Sequence, residues 1–259
     1  MTSANTVAQK AATLLDLHRD PELLIVVNVW DAITAKVVAE LPGCKALATT
    51  SHAIAASAGY PDGEVMPLDE MITAVGRIAA ATALPVSADL EAGYGDAGEA
   101  VRRALDVGVV GANLEDQMKP LRESVAAVAA AVQAGAASGF VLNARTDAFI
   151  KAGGRDPADV LADAIERGRA YLDAGAACFF APGTLDRPTV EALVLALGPQ
   201  KLSVIALPGS LPLPELAELG VARVSFGPWT QRLALTALAE AGADMLAGGS
   251  LPEGVKPLN

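Results

Sequence analysis

Carboxylate side chains follow several short apolar runs of the sequence, and such groups can hold a metal ion or move protons. Asp89 and Glu91 close the segment PVSADLE, so a strand here would point both to one face, and Glu115 closes GANLE on the neighbouring strand. Asp62 lies in the segment GYPDGE. Carboxylates crowded into one site repel one another, and they relieve that repulsion by sharing a proton or by binding a hard divalent cation through oxygen. We favour the cation, with Asp89 as its first ligand, whereas Asp62 is also open to helix capping or solvation.

A second group of side chains could bind and protonate an anionic substrate. Asn143 and Arg145 lie two residues apart in FVLNAR, so a strand here would point both to one face. An arginine can bind a carboxylate or phosphonate through two parallel hydrogen bonds, although a structural salt bridge is the alternative. Thr50 and Ser51 could hold an anion with their hydroxyls and amides, and they are also ordinary turn residues. His52 beside them is either an acid–base group or a structural histidine.

Other polar and aromatic residues have mainly structural interpretations. Trp30, in the segment NVWDA, either covers a pocket or packs under a loop. Asp31, Asp96 and Asp116 are interpreted as helix caps, because a short polar side chain can accept hydrogen bonds from the first helical amides. His18, in the segment LDLHRD, is expected at the surface.

Eight short apolar runs, each bounded by Gly, Pro or Asp, predict the strands that position these residues. The runs lie at 23–29, 45–50, 85–90, 111–115, 140–145, 177–181, 202–207 and 222–227. Helical patterns lie at 68–81, 97–107, 122–136, 157–174, 188–197 and 228–243. Gly43, Gly108, Gly175 and Gly220 follow helical runs, where a left-handed residue ends a helix at little cost. The alternation predicts a parallel sheet buried on both faces.

The chain length of 259 residues fits eight strand–helix units in one domain. We therefore predict an α/β fold, a single (β/α)8 TIM-type barrel over residues 1–259, with an open doubly wound sheet as the alternative. No GxGxxG follows the first strand, and the stretch EAGYGD has no P-loop lysine, so dinucleotide binding and nucleotide hydrolysis lack support. In a barrel the active site lies at the C-terminal ends of the strands, where the acids and the arginine fall.

The charge balance and the cysteines limit the partners and the location of the protein. Thirty acidic residues against nineteen basic ones give a formal net charge of −11, which argues against binding to nucleic acid or to an anionic membrane. The N-terminal segment lacks a basic start followed by a long apolar stretch, so we expect a cytoplasmic protein. Cys44 and Cys178 lie in apolar segments without metal-binding spacing and are expected to be free, buried thiols.

Six segments of the chain together carry a family resemblance. They are NVWDAITA, ATTSHAIAASAGYPDGE, LPVSADLEAGYGD, GANLEDQ, VLNARTDAF and DAGAACFFAPG. In this order, the segments resemble the isocitrate lyase/phosphoenolpyruvate mutase superfamily. The resemblance implies a barrel that depends on Mg²⁺, with Mn²⁺ as another oxygen-seeking choice. Such a barrel makes or breaks a C–C or P–C bond beside a 2-oxo acid, through a metal-bound enolate.

The resemblance also implies the ligands of the metal. Asp89 would hold the ion, and Glu91, Glu115 and Asp62 would complete its shell, partly through water.

The same resemblance implies which groups bind the substrate. Arg145 and the amides of Thr50 and Ser51 would bind the substrate's oxygens and balance the charge that develops on them. With the polar and aromatic groups nearby, the candidate set is complete. The substrate-binding candidates are Trp30, Thr50, Ser51, Asn143 and Arg145. The catalytic candidates are Arg145, His52 and Asp62.

The sequence departs from the superfamily at two places. Isocitrate and 2-methylisocitrate lyases look to carry a cysteine in a lid after the strand-four acid, whereas here Glu115 is followed by DQMKPLRESVAA. The mutases carry a histidine after strand six, where this chain has Ala181 and Pro182. The remaining pattern resembles a short, lidless branch that is often labelled phosphonomutase-like.

Three functions remain open at this point. The leading hypothesis is a Mg²⁺-dependent lyase that cleaves a C–C bond in a small 2-oxo or 2-hydroxy dicarboxylate, similar to an oxaloacetate decarboxylase. His52, Lys119 or a bound water would deliver the proton. The alternative enzyme acts on a P–C bond, as a phosphonopyruvate hydrolase or a phosphoenolpyruvate mutase. The third reading, from another class, is a catalytically silent barrel that binds an oxo acid.

The last predicted helix, at 228–243, is rich in Leu and Ala. The resemblance implies that such chains associate through this helix into homodimers or homotetramers. A buried helix of a monomeric barrel has the same composition, so the sequence leaves both readings open.

Overall fold

A sheet of nine parallel strands forms the centre of the computed structural model, which describes residues 6–258. The strands are β1 (Leu24–Ile25), β2 (Asn28–Val29), β3 (Leu47–Thr49), β4 (Val86–Asp89), β5 (Gly111–Glu115), β6 (Val141–Arg145), β7 (Cys178–Ala181), β8 (Leu202–Ile205) and β9 (Arg223–Ser225). Their order in the sheet is β1-β9-β8-β7-β6-β5-β4-β3-β2. Each predicted run contains at least one of these strands, which confirms the alternation of buried strands with helices.

The first predicted strand, at 23–29, differs from the expectation because it divides into two short strands. β1 pairs with β9, with Leu24 opposite Arg223, and β2 pairs with β3, with Asn28 opposite Ala48. Only two residues separate β1 from β2 in the chain. Both ends of the sheet order therefore lie on one short segment, which curls the sheet.

Ten α-helices lie between or beside the strands in the described part of the chain. They are α1 (Val7–Arg19), α2 (Ala32–Ala39), α3 (Ser51–Ser57), α4 (Leu68–Ala80), α5 (Ala97–Asp106), α6 (Leu121–Gly135), α7 (Pro157–Asp173), α8 (Arg187–Leu197), α9 (Leu213–Glu218) and α10 (Trp229–Leu246). All six predicted helical patterns are confirmed to within a few residues. The predicted caps Asp31 and Asp96 accept the amide hydrogens of Thr34 and Glu99.

The glycines predicted to end helices have the left-handed backbone that this role requires. Gly43, Gly108, Gly175 and Gly220 have φ of 86°, 90°, 102° and 83°. A Cβ at Gly175 would also lie 2.9 Å from a side-chain carbon of Val132. The turn from helix to strand therefore needs glycine for both its conformation and its packing.

The helix α1 covers the N-terminal ends of the strands, and this position corrects the prediction for His18. Ala11 and Leu14 of α1 pack into one apolar cluster with Val110 and Val141, which precede or begin strands. His18 is buried rather than exposed, and its Nδ1 lies 2.8 Å from the carbonyl oxygen of Leu14. Burial and the nearby charge of Arg223 lower the pKa of His18 to about 3, so the ring is neutral.

Polar side chains occupy the interior of the sheet beneath the C-terminal ends of the strands. Asn143 is buried and donates from Nδ2 to Asn113 Oδ1 at 2.8 Å and to Ser203 Oγ at 3.2 Å. Arg223 is also buried, and its Nη1 donates to Ser87 Oγ at 3.1 Å. Burial lowers the pKa of Arg223 to about 10. Asn143 therefore lies beneath the ends of the strands and supports Asn113, and its predicted contact with a substrate stays a prediction.

The remaining predictions about the whole chain concern its thiols and its surface. Cys44 and Cys178 are both free, as expected, although Cys44 is only half-buried. Within residues 6–258, no helix combines the length and the apolar character that a membrane span requires.

Candidate active site

A cavity of about 420 Å³ opens where the strands end, and most of the predicted site residues line it. The lining residues predicted from the sequence are Thr50, Ser51, His52, Asp62, Asp89 and Arg145. Those that the sequence did not single out include Asn28, Thr49, Asn113, Phe180, Ile205, Leu207, Trp229 and Arg232. The volume is within the range of sites that bind small molecules.

Asp89 is the last residue of β4 and is held by the loop that follows β3. Its Oδ2 accepts hydrogen bonds from the amide of Ser51 at 3.1 Å and from Ser51 Oγ at 2.8 Å. The amide of Asp89 donates to Thr49 Oγ1 at 2.9 Å. Ser51, one of the two residues predicted to bind an anion, therefore fixes Asp89 instead, and Asp89 Oδ1 is left without a hydrogen bond from residues 6–258.

Arg145 lies between two buried carboxylates at the end of β6. Its Nη1 is 2.8 Å from Glu115 Oε2, on the neighbouring strand and directly opposite in register. Its Nε and Nη2 are 2.9 and 2.8 Å from Asp147 Oδ1. The structural salt bridge left open by the sequence is thus present. A guanidinium has five N–H groups, so hydrogen bonds remain for a substrate carboxylate.

Glu91 does not share a face with Asp89, in contrast to the prediction from strand alternation. β4 ends at Asp89, and Glu91 has the left-handed φ of 51°. Its carboxylate is buried, accepts the amide hydrogen of Glu64, and accepts from Tyr94 Oη at 3.0 Å. Glu91 therefore binds the loop that carries Asp62.

The carboxylates near the cavity outnumber the cations that could balance them. Burial, followed by the charges of Asp89 and Asp62, raises the pKa of Glu91 to about 7. Burial also raises the pKa of Glu115 to about 7, against the opposing effect of Arg145 and with the help of Asp147 and other acids. Carboxylates with such pKa values gain from any added positive charge.

The fit of these acids to a divalent cation rests on their donor atoms. Within residues 6–258, no three acids, histidines or cysteines lie close enough to hold an ion together, so the predicted four-carboxylate shell is not preformed. Glu115 Oε1 and Asp89 Oδ1 accept no hydrogen bond from the described residues. Two free carboxylate oxygens beside crowded acids are the hard donors that Mg²⁺ prefers.

His52 and Asp62 form a pair at the mouth of the cavity. His52 Nδ1 lies 3.2 Å from Asp62 Oδ2, and both side chains are about half exposed. The pairing of Nδ1 orients the ring, so Nε2 is the nitrogen that remains for a substrate. Asp62 is thus partly solvated and accessible to the cavity.

Two other candidates lie outside the cavity. Trp30 lines a different cavity, with Ile54 and Met66 among its other walls, so of its two predicted readings the structure favours the wall of a pocket, although not of the pocket that holds Asp89. Lys119 is exposed and is not among the residues that line the cavity beside Asp89. Neither side chain is placed to contact a substrate bound there.

Asp116 corrects the helix-cap interpretation, because α6 begins after Pro120. Asp116 is buried, and its Oδ2 accepts from Thr146 Oγ1 at 2.7 Å and Tyr171 Oη at 2.8 Å, and from Arg167 Nη1 at 3.1 Å. Its Oδ1 accepts the amide hydrogen of Asp147 at 3.0 Å. Asp116 therefore fixes the loop that places Asp147 against Arg145.

Trp229 and Arg232, on the first turn of α10, are among the lining residues that were not predicted. The Arg232 guanidinium carbon lies 4.8 Å from the centre of the Trp229 ring. Asn28 Oδ1 fixes the approach to this helix by accepting the amide hydrogens of Phe226 and Gly227 at 2.7 and 2.8 Å. The segment FGPWTQR carried only a helix-start signal, because the link to Asn28 spans most of the chain.

Comparisons of the chain with known sequences agree with this geometry. A family model described as phosphoenolpyruvate phosphomutase matches residues 14–246. An uncharacterized protein of Mycobacterium tuberculosis is 33% identical over 250 residues, which cover 93% of this chain and 91% of that protein. The 2,3-dimethylmalate lyase of Eubacterium barkeri is 32% identical over 187 residues, which cover 66% of this chain and 62% of the lyase.

Solved structures show the same fold over nearly the whole chain. A Burkholderia cenocepacia J2315 protein, provisionally described as a phosphonomutase, is 40% identical with a TM-score of 0.83, covering 89% of this chain and 98% of that one. Oxaloacetate acetylhydrolase in complex with the product oxalate is 29% identical with a TM-score of 0.85, covering 97% and 92%.

Proposed function

The chain belongs to the phosphoenolpyruvate phosphomutase family, and on that premise we propose that it is a Mg²⁺-dependent lyase. Its substrate would be a small 2-oxo or 2-hydroxy dicarboxylate, of the oxaloacetate type, cleaved at a C–C bond. The observation that carries the proposal is the cavity that brings Asp89 and Arg145 together beside an excess of buried carboxylates. Relatives described as a dimethylmalate lyase and an oxaloacetate acetylhydrolase support a dicarboxylate.

The acids divide into two groups as candidate holders of the cation. Asp89 and Glu115 offer free oxygens, whereas Glu91 and Asp62, which bind protein groups, would act through water. A bound Mg²⁺ or Mn²⁺ would supply Lewis acidity that stabilises negative charge on the oxygens of a 2-oxo acid.

The chain's own residues supply binding, orientation and a proton. Arg145 would bind a substrate carboxylate through the N–H groups that Glu115 and Asp147 leave free. The apolar side chains of Phe180 and Ile205 on the cavity wall exclude water from the carbon skeleton. His52 Nε2 would donate a proton to the carbon that loses its bond, with Asp62 holding the ring.

The curled sheet supports the barrel expected from the sequence. If β1 and β2 count as one strand, that strand pairs with β9 on one side and with β3 on the other, so the sheet closes with eight strands. We therefore propose a closed (β/α)8 barrel as one domain, with its site at the usual C-terminal end.

A second enzymatic candidate is cleavage or rearrangement of a P–C bond. The description of the matching family model favours it, and Arg145 would accept a phosphonate as readily as a carboxylate. In the mutases that the sequence resembles, a histidine follows the strand that corresponds to β7, whereas this chain has Ala181 and Pro182 at that place. This departure makes P–C chemistry the second candidate.

Product analysis by NMR separates the candidates. Purified protein with Mg²⁺ is incubated with oxaloacetate, 2,3-dimethylmalate, 2-methylisocitrate and phosphonopyruvate, with no-enzyme and EDTA controls. The controls are needed because Mg²⁺ alone decarboxylates oxaloacetate. Cleavage of a carbon substrate above both controls supports the lyase, and turnover of phosphonopyruvate alone supports the second candidate. Binding without turnover of any acid would leave the silent barrel.

A further inference from the structure

The two guanidinium groups that line the cavity are in different electrostatic states. Arg145 is neutralised by Glu115 and Asp147, each at 2.8 Å. The Arg232 side chain makes no hydrogen bond or ion pair with any residue of 6–258, and its guanidinium lies over the ring of Trp229. His52, the third basic group of the lining, is paired with Asp62.

We infer that Arg232, held against Trp229, binds the distal carboxylate of a dicarboxylate substrate and thereby selects diacids over monoacids. The inference rests on the proposed function, because it assigns the second carboxylate of that substrate within the same cavity. Arg145 binds the carboxylate next to the reacting carbon, and Arg232 binds the one at the far end.

Charge explains why a second cation is needed. A diacid brings two negative charges into a cavity whose lining already contains Asp62 and Asp89, and the charge of a bound Mg²⁺ would be balanced by Asp89 and Glu115, the carboxylates proposed to hold it. Glu115 and Asp147 already neutralise the charge of Arg145, so Arg145 offsets one carboxylate of the substrate at most. Among the described lining residues, Arg232 is the cation that no acid neutralises, and it is therefore the group on which a second carboxylate gains most.

The sheet order places the two arginines on opposite sides of the cavity. Arg145 ends β6, whereas Arg232 follows β9, and β7 and β8 lie between these strands. Three strand spacings correspond to about 14 Å along the sheet, and two long side chains that reach inward shorten that gap. Phe180 of β7 and Ile205 of β8 line the wall between them. The carbon chain of a diacid would lie on this apolar wall.

Trp229 keeps the guanidinium available without neutralising it. A cation over an aromatic face is attracted by the ring but keeps its N–H groups in the plane of the guanidinium. Arginine uses N–H groups in this plane to bind a carboxylate with two parallel hydrogen bonds. An acidic partner would have occupied the same N–H groups. Trp229 is therefore a positioning residue, and Arg232 is the residue that sets specificity.

Binding of malate and lactate tests the inference, because lactate lacks only the distal carboxylate. Dissociation constants are measured by calorimetry with Mg²⁺ for the wild type, Arg232→Gln, Arg232→Lys and Trp229→Leu, and NMR verifies that both acids stay intact. Arg102→Gln, an exposed arginine paired with Glu99 on α5, is the matched control.

The expected result is a change confined to the diacid. Arg232→Gln weakens malate binding about tenfold or more and lactate binding less than about twofold, because a charge-assisted contact is lost from one ligand only. Arg232→Lys and Trp229→Leu fall between Arg232→Gln and the wild type, and Arg102→Gln matches the wild type. Equal losses for both acids, unchanged malate binding in Arg232→Gln, or no malate binding by the wild type would overturn the inference. If the protein prefers diacids but cleaves none of them, only the proposed lyase activity is refuted.

Discussion

Arg145 is the residue on which most of the site's polar contacts converge. It contacts a carboxylate on the neighbouring strand and another in its own loop, and Asp116 fixes that loop. The side chain is four-fifths buried, so Arg145 and Glu115 depend on each other for compensation, whereas Asp147 also pairs with Lys151 at 3.0 Å.

Arg145→Lys should therefore lower both stability and activity. An ammonium is a point charge that cannot reach Glu115 and Asp147 as the planar guanidinium does, so one buried carboxylate loses its partner. We expect the free energy of unfolding to fall by about 3 kcal/mol and kcat/KM to fall about 100-fold. Urea denaturation and steady-state kinetics measure the two effects.

Arg187→Lys is the matched control for that substitution. Arg187 also lies between two acids, Glu191 and Glu215, but half of its side chain is exposed. We expect a much smaller loss than at Arg145, because exposed pairs contribute little. Equal losses at Arg145 and Arg187 would show that burial does not decide the strength of the Arg145 contacts.

Six of the side chains selected by residue type line one cavity, but side-chain directions were predictable only inside regular strands. Asp89 and Arg145 end strands and face the cavity as alternation requires. Glu91 lies beyond its strand, and its left-handed backbone removes the alternation on which the prediction depended. His18 and Arg232 depend on contacts with residues far away in the sequence, which no local pattern contains.

The loops after β3 and β4 are joined by residues in strained conformations. Glu64, Glu91 and Tyr94 all have left-handed backbones, with φ of 61°, 51° and 54°. The amide of Tyr94 donates to Glu64 Oε1 at 2.5 Å, and Tyr94 Oη donates to Glu91 at 3.0 Å. Such conformations persist only where surrounding contacts hold them. These contacts therefore hold the loop that carries Asp62.

Tyr94→Phe should loosen that loop without unfolding the protein. Loss of a hydrogen bond to a buried carboxylate should increase local opening about tenfold or more. Hydrogen–deuterium exchange of the peptide spanning 59–66 measures the effect, and KM should rise as His52 and Asp62 become less ordered. Tyr60→Phe is the control, because Tyr60 bonds the exposed Glu70 from the same loop. Equal exchange in both variants would contradict a role for Tyr94.

Most of the long and regular helices were predicted from the sequence, whereas the short helices were not. The helices α4 to α8 and α10 carry enough turns for their apolar period to be read. The short helices α3 and α9 do not, and α3 starts within the segment interpreted as an anion-binding turn. The division of the first strand into β1 and β2 has no local signal, because the run LLIVVNV contains no glycine or proline that would mark a break.

At the scale of the whole molecule, the two ends of the sheet respond to pH in opposite directions. The folded-state pKa of Glu91 and Glu115 is raised to about 7, so their stabilising effect is complete below the unfolded value of 4.5 and is lost as pH rises through 7. The pKa of His18 is lowered to about 3, so its effect is present above 6.5 and is lost as pH falls towards 3.

Glu115→Gln should reduce the fall in the free energy of unfolding that occurs as the pH rises. Each of the two glutamates lowers the free energy of unfolding by at most about 1.4 kcal/mol per pH unit between pH 4.5 and 7, and glutamine cannot ionise. Urea denaturation in EDTA at pH 5, 6 and 7 compares the wild type, this variant and the exposed control Glu166→Gln. Parallel curves for all three proteins would mean that Glu115 ionises normally in the folded state.

The helix α10 supports the expected homo-oligomer. Gln231 is the one residue of its 18 that is buried, whereas Leu233, Leu238 and Leu246 are 74%, 64% and 92% exposed. Several large apolar side chains exposed on one helix are typical of an interface, and a second copy of the chain presents the same helix.

Light scattering after size exclusion tests the association. We expect the wild type to elute as a dimer or tetramer and Leu233→Glu/Leu238→Glu to elute as a monomer, because carboxylates would be buried in the interface. Leu195→Glu, at an exposed leucine of α8, should leave the assembly unchanged. A monomeric wild type would remove the expectation.

The most direct test of the account is the Mg²⁺ dependence of C–C cleavage in Asp89→Asn. NMR follows loss of the best carbon substrate against Mg²⁺ concentration in the wild type, Asp89→Asn and Asp16→Asn, the last at an exposed residue of α1. The account predicts that the wild type and Asp16→Asn require Mg²⁺ and that Asp89→Asn is slower by about 100-fold or more at an unchanged Tm. Cleavage that persists in EDTA, or an Asp89→Asn rate equal to that of the wild type, would contradict it.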